Sequence, residues 1–222
     1  MSILGATGAS SARGPSEGPS AGRAGVDARA VDAAARALAA GQVVALPTDT
    51  VYGLAVDPFR RGATDRLFAL KGRPREVHLP VLVASEEQAL ELTTVSEVAR
   101  RLMARFWPGA LTLVLPRRSG VVADLGGDQT TVGVRCPAHP VPTAVCRLTG
   151  PLATTSANRH REPPLATATD VVAAFGEGVS LVLDGGTCSG LPSTVVDCTG
   201  HKPELLRPGR VPWEQVVAAA GP

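Results

Sequence analysis

The chain has 222 residues and is 44% hydrophobic, enough to bury the core of one domain. Its 22 basic residues stand against 20 acidic ones, a formal net charge of +2, so no global field calls for nucleic acid. No apolar run reaches the roughly 18 residues of a membrane helix, and no apolar signal core opens the chain. Cys136, Cys146, Cys188 and Cys198 form no CxxC pair and lack zinc-finger spacing to His. Reduced structural thiols in a cytoplasmic protein are the expectation.

Residues 1–26 are Gly, Ser, Ala and Pro with scattered Arg. Such a segment buries too little apolar surface to offset ordering, which predicts a disordered tail ahead of one folded unit over 27–222. Asp27 caps a helix through Val31, Ala34, Ala35 and Leu38 that Gly41 ends. Gln42–Leu46 reads as a buried strand stopped by Pro47. Thr48, Asp49, Thr50 and Tyr52 then crowd hydroxyls and a carboxylate into one turn, either a capping turn or a recognition edge for a small polar ligand. Asp57-Pro58 is a turn and 64–71 a short helix, broken by Lys71-Gly72-Arg73-Pro74-Arg75, which projects three cations.

Leu79–Ala84 is a strand, and Ser85-Glu86-Glu87-Gln88 a capping box opening a helix. A further helix stops at Phe106-Trp107-Pro108-Gly109. Leu111–Leu115 and Thr131–Arg135 are strands joined by a Gly/Asp loop. Pro140–Leu148 is helical, and Pro151–Thr155 is a strand running into Ser156-Ala157-Asn158. Thr169 or Asp170 starts a helix to Phe175, and Leu181–Leu183 is a buried strand. Residues 184–192 form a Gly-rich loop, Thr194–Asp197 a strand, and Pro212 fits the first turn of a last helix. Several neighbouring strands are joined without room for a helix, so the class is α/β with a mixed sheet.

Apolar runs repeatedly end in a hydroxyl, amide or cation: Thr48 and Tyr52, Arg135, Thr154-Ser156-Asn158, Ser193-Thr194, and Arg207 before Pro208-Gly209. If these tips meet, they make a pocket rich in donors and positive charge. Arg matches carboxylate and phosphate oxygens bidentately and Lys acts as a compact charge. A nucleoside triphosphate beside a small amphoteric molecule would fit. Each piece also has a plain structural reading: Ser-Ala-Asn as a cap, Ser193-Thr194 as a turn, Arg207 as a surface cation, Gly185-Gly186 as a chain reversal. The sequence has no P-loop, dinucleotide fingerprint, nucleophile elbow or HExxH helix.

Taken together, PTDTVYGL (47–54), KGRP (71–74), PGALTLVL (108–115), TVGVRCP (131–137), PLATTSAN (151–158), PSTVVD (192–197) and LRPGRV (206–211) closely resemble the YrdC-like family, the threonylcarbamoyl-AMP synthases. The likeness covers roughly residues 30–212. It implies the short single-domain form, a twisted sheet with flanking helices and a large concave, basic cleft. It also implies a nucleotidyltransferase that joins L-threonine, bicarbonate and ATP into L-threonylcarbamoyl-AMP and pyrophosphate. That product serves threonylcarbamoyladenosine modification of tRNA by a separate transferase complex.

By the same resemblance Lys71, Arg73, Thr131, Ser156, Asn158 and Arg207 are expected on the nucleotide, with Lys71 and Arg73 catalytic. Thr48, Tyr52, His78, Arg135, Thr154 and Ser193 are expected on the threonine, with Arg135 at its carboxylate. Mg²⁺ would come with the triphosphate, without a dedicated protein site. Two stretches depart from the family pattern: Val77-His78 before Leu79-Pro80, and Arg159-His160-Arg161 after Ser-Ala-Asn. Rival readings are a non-catalytic RNA-binding module using the same basic cleft, or weak tRNA contact beside catalysis. The low aromatic content (3%) argues against base stacking. An O-carbamoylation enzyme of the same fold would need a second catalytic domain for which the chain has no room.

Overall fold

In the computed structural model, which describes residues 2–7, 26–127, 129–159 and 162–221, strand-forming segments assemble into a ten-stranded mixed sheet of order β1-β8-β2-β3-β7-β4-β6-β5-β9-β10. The strands are β1 (Ser2–Gly5), β2 (Val44–Leu46), β3 (Gly53–Val56), β4 (Val81–Leu82), β5 (Leu111–Pro116), β6 (Thr131–Arg135), β7 (Leu152–Ser156), β8 (Leu181–Asp184), β9 (Thr194–Asp197) and β10 (Glu204–Arg207). The helices are α1 (Ala28–Ala39), α2 (Ala63–Lys71), α3 (Glu86–Leu92), α4 (Glu97–Phe106), α5 (Pro140–Thr149), α6 (Ala168–Phe175) and α7 (Trp213–Ala220). Parallel pairs (β1/β8, β8/β2, β4/β6, β5/β9) mix with antiparallel ones, as the short connections required.

Local signals explain most boundaries. Asp27 accepts the Arg29 N–H at the start of α1, and Gly41 (φ 71°) supplies the left-handed turn after it. Arg60 and Arg66 donate to the carbonyls of Ala39 and Gly41, satisfying groups the helix end leaves open. Two expected starts need correction. Ser85 makes no capping bond with its side chain; instead Gln88 Oε1 accepts the Ala84 N–H, so the box closes one residue early. The α6 cap is Thr167, whose hydroxyl accepts from the Asp170 N–H.

The disordered-tail expectation fails at its first residues. Ser2–Gly5 pairs in parallel with β8, Leu4 packs on the core, and Ala6 is fully buried. This strand covers a backbone edge that β8 would otherwise leave unpaired. Residues 8–25 lie outside the described residues. Strands β3 and β10 are two the sequence reading did not anticipate.

Alternation along the strands sorts side chains onto two faces. One face carries Val43, Ala45, Leu54, Val81, Leu111, Leu113, Val132, Val134 and Val196, covered by α2, α3, α4, α6 and α7. The other carries Val44, Leu46, Ala55, Leu82, Leu152, Leu181 and Leu183, under α1 and α5. Leu82 is in register with Arg135, and Val114 with both Gly133 and Asp197. Arg135, Gly133, Val114 and Asp197, with Thr112 and Val195, therefore share the α1/α5 face. There they line a cavity instead of meeting a helix. The cavity forms where the second helical layer runs out.

One ion pair ties the two halves together. Arg135 at the end of β6 donates to Asp49 Oδ1 (2.6 Å) in the turn after β2, although β3, β7 and β4 lie between those strands. Both side chains are largely buried, at 8% and 12% exposure. Removing one partner of such a pair leaves an uncompensated buried charge. Asp49→Ala is expected to lower unfolding free energy by about 3–5 kcal/mol in urea titrations. Adding Arg135→Met should recover much of that loss. If the double variant is as unstable as the single one, the stranded charge is not the cause.

Candidate active site

The turn after β2 is built by the hydroxyl of Thr48. It donates to the Val51 carbonyl (2.7 Å) and accepts from the backbone N–H groups of Thr50 and Val51, while Thr50 Oγ1 lies 2.9 Å away. Thr48 lines the cavity, but its hydrogen-bonding capacity is spent inside the turn. Tyr52 is fully buried and is not on the cavity wall; its hydroxyl donates to the Gly186 carbonyl (2.9 Å) and accepts the Gly185 N–H. Burial pushes its phenol well above the ordinary range, so it stays protonated. Tyr52 thus fastens the Gly-rich loop behind the site.

The second feature is the KGRP turn against the end of β7. Gly72 (φ 62°) closes α2 in the left-handed conformation, which a Gly adopts without strain. Buried Lys71 Nζ donates to the Ser156 carbonyl and to Asn158 Oδ1 (both 2.6 Å), with a longer contact to Ser156 Oγ (3.3 Å). The Ser156 hydroxyl donates to the same Asn158 oxygen (2.6 Å), and Asn158 Nδ2 donates to the Glu162 carbonyl. Arg73 and Ser156 reach the cavity; Lys71 and Asn158 stand behind Ser156, off the wall. Arg73 also donates to the His78 carbonyl (2.7 Å), tying down the rim residues Val77 and His78. A Cβ added at Gly127 would overlap the His78 ring at 1.5 Å, so that ring rests directly on the 126–127 backbone. His160 and Arg161 lie outside the described residues.

The third feature is the crossing of the 207–211 segment over the start of β9. Arg207 donates to the Ser193 carbonyl (2.8 Å), and Thr194 Oγ1 donates to the Val211 carbonyl (2.6 Å). A Cβ at Gly209 would come within 2.4–2.5 Å of the Ser193–Thr194 backbone, so only Gly permits this approach. The β9/β10 register shifts between Leu205 and Arg207. That irregularity sends both Leu206 and Arg207 to the cavity.

The resulting cavity is about 760 Å³, within the size range of small-molecule sites. Of the residues singled out from sequence, Thr48, Arg73, His78, Thr131, Arg135, Thr154, Ser156, Ser193 and Arg207 line it; Lys71, Asn158 and Tyr52 do not. Thr112, Val114, Gly133, Val195, Asp197 and Leu206 also line it and were not anticipated. Strict alternation in Val195–Val196–Asp197 was the available signal for two of them, since it puts Val195 and Asp197 on one face.

Charge dominates this space. Arg135 is held by Asp49 Oδ1, Thr50 Oγ1 and the Gly109 carbonyl, using three of its five N–H groups. Burial draws its pKa down, opposed by Asp49 and assisted by Arg207 and Arg210. Arg73 is lowered by burial and then by Arg207, and Arg207 by burial. Lys71 falls to about 8, through burial first and then Arg73. These cations disfavour one another, and an anion among them favours their charged forms and so offsets both causes. Among the described residues no group of three His, Cys, Asp or Glu side chains is placed to hold a metal, and no helix is long and apolar enough to cross a membrane.

Comparison with known proteins gives close relatives. A Mycobacterium tuberculosis protein is 40% identical over 195 residues, 87% of this chain and 90% of its own length. The threonylcarbamoyl-AMP synthase of Pyrococcus abyssi is 41% identical over 184 residues, 82% of this chain but 54% of that protein, so the chain spans about half of it. A crystal structure of P. abyssi Sua5 complexed with L-threonine superposes with a TM-score of 0.84 at 38% identity, covering 88% of this chain and 58% of that one. The family model Sua5/YciO/YrdC, described as "Telomere recombination", matches residues 36–209, and by that match over most of its length the chain belongs to the Sua5/YciO/YrdC family.

Proposed function

We propose that the protein is a threonylcarbamoyl-AMP synthase, a nucleotidyltransferase that condenses L-threonine, bicarbonate and ATP and releases pyrophosphate. The observation that carries this reading is the convergence of Arg73, Arg135 and Arg207, far apart in sequence, on one concave cavity. The P. abyssi relative bearing that name supports it, as does the threonine held by P. abyssi Sua5.

The chemistry asks for two anions to be brought together. The neutral amine of threonine adds to carbon dioxide, formed from bicarbonate, and loses a proton to give a carbamate. A carbamate oxygen then attacks the α-phosphorus of ATP, and the bond to pyrophosphate breaks. No covalent enzyme intermediate is needed, so positioning and charge neutralisation supply the catalysis. Arg135 takes the threonine carboxylate with the two N–H groups its structural bonds leave over. Thr154, Ser193 and His78 border that end, while Thr48 acts by fixing the turn and Tyr52 by fastening the Gly-rich loop. Arg73, Arg207, Ser156 and Thr131 face the triphosphate. Lys71 acts from behind Ser156, where its longer bond, at 3.3 Å, is the one free to turn toward a phosphate.

Mg²⁺ belongs to this proposal as a counter-ion of the triphosphate, carried by phosphate oxygens and water. Among the described residues the wall offers it hydroxyls and arginines with one carboxylate, Asp197, a poor match to the oxygen ligands a metal cage needs. Transfer of the product to tRNA by a separate threonylcarbamoyl transferase complex, a weak tRNA contact, and a cytoplasmic setting are parts of the same reading.

Incubating the protein with ATP, bicarbonate and single amino acids, followed by mass spectrometry, should reveal threonylcarbamoyl adenylate and threonine-dependent pyrophosphate. Lys71→Ala and Arg207→Ala should each abolish that release while circular dichroism stays native. Turnover at the wild-type rate in either variant would remove that residue from the mechanism.

The Lys71 shift adds a pH dependence. In the empty site its ammonium is present below about 8 and lost above it, and phosphate binds the charged form. ATP affinity should therefore hold from pH 7 to 8 and fall above that by up to roughly tenfold per unit. In Lys71→Arg, whose guanidinium stays charged, calorimetric titration should show that slope gone. An unchanged slope would assign it to another group.

A further inference from the structure

We infer that Asp197 selects the nucleoside of the triphosphate by accepting a hydrogen bond from it. The inference rests on the function proposed above and concerns a residue that reading does not use.

Among the described residues Asp197 is the one carboxylate on the cavity wall, and three arginines share that wall. None of them pairs with it among the described residues. Arg73 goes to the His78 carbonyl, Arg135 to Asp49, and Arg207 to Ser193. Its Oδ1 is occupied by the Thr199 N–H (2.8 Å) and the Thr199 hydroxyl (2.6 Å). Its Oδ2 meets no partner among the described residues. A carboxylate only accepts hydrogen bonds, so the oxygen left over asks for a donor.

The surroundings say which part of the ligand brings that donor. Across the sheet Asp197 is in register with Val114, and Val114 with Gly133. Because Gly133 has no side chain, this row is a low, apolar ledge ending in the carboxylate. Val195 lies on the same face of β9, and Leu206, 55% exposed, is set beside the ledge by the shift in β10. An apolar ledge with a polar end suits a flat ring with a few donors. Phosphates are repelled by Asp197 and drawn toward Arg73, which reaches the cavity beside Thr155 of β7 with β4, β6 and β5 between it and β9. A triphosphate running from Arg207, beside Val195, toward Arg73 leaves the nucleoside over Val114 and Asp197. The donors a nucleoside offers there are the ribose hydroxyls and the 6-amino group of adenine.

Catalytic efficiency for pyrophosphate release, and dissociation constants by calorimetry without threonine, would be measured with ATP, 2′-deoxy-ATP, 3′-deoxy-ATP and purine riboside triphosphate, which is ATP without its amino group. The wild type should lose roughly ten- to hundredfold with the analogue that lacks the donor. A loss with a deoxy analogue names the ribose, and a loss with purine riboside triphosphate names the base. Asp197→Asn keeps one oxygen for Thr199 and turns the other position into a donor, so it should shrink that ratio about tenfold or more without changing the threonine KM. Equal use of all four nucleotides by the wild type would overturn the inference. So would wild-type ratios in Asp197→Asn. A wild type that binds these nucleotides selectively but forms no adenylate would instead sink the proposed reaction and leave the selection standing.

Discussion

Arg135 carries a charge into the middle of a ten-stranded sheet, and the structure around it is arranged to keep it there. Its partners come from two places: Asp49 and Thr50 from the turn after β2, and the Gly109 carbonyl from the turn before β5. That Asp49 turn is itself pinned from further away. Arg210 Nη1 donates to the Asp49 carbonyl (2.6 Å) and Ser189 Oγ to the Asp49 and Thr50 carbonyls. An isolated buried guanidinium would be strongly disfavoured. Holding it therefore gathers the PTDT turn, the loop 184–192 and the 207–211 segment around one point. These are also segments that border the Arg135 end of the cavity.

The same electrostatics leave the cavity wall positively charged. Lys71, Arg73, Arg135 and Arg207 are drawn toward lower pKa by burial, and all but Arg207 also by neighbouring cations. Neutralising them with acidic side chains would stabilise the empty fold but occupy the places an anionic substrate needs. Among the described residues Asp49 is the one close acidic partner, and it sits behind Arg135, off the cavity wall. The cations are instead satisfied by carbonyls and amide oxygens, which hold them in place and leave their charge uncancelled.

Much of this was legible in the sequence, for identifiable reasons. Segments whose apolar pattern and end signals agree, such as α1 after Asp27, β6 and β9, were read nearly to the residue. β3 was missed because Gly53 and Ala55 carry little strand preference, and β10 because its four residues are all exposed and show no alternation. Both are strands only through their partners, Leu46 with Gly53 and Asp197 with Glu204. β1 was hidden for the same reason: Ile3 and Leu4 gain their strand from β8, and the 179 positions that separate Leu4 from its partner Leu183 leave no local pattern.

The motif residues themselves divide in a way composition does not reveal. Thr48, Tyr52, Lys71 and Asn158 were read as ligand groups, and their shortest hydrogen bonds go to the scaffold: a turn, a loop, the end of β7. Arg73, Ser156, Ser193 and Arg207 do both, bonding the scaffold and facing the cavity. The hydroxyl-rich turn offered two readings, cap or recognition edge, and for Thr48 the cap is what its geometry uses. A dense motif thus marks where a site is without saying which of its members touch the substrate. For Lys71 that distinction depends on a hydrogen bond to Ser156, 85 positions away. It is also why Asp197, at the quiet end of PSTVVD, came into view only when the strands were laid side by side and its second oxygen was left without a partner.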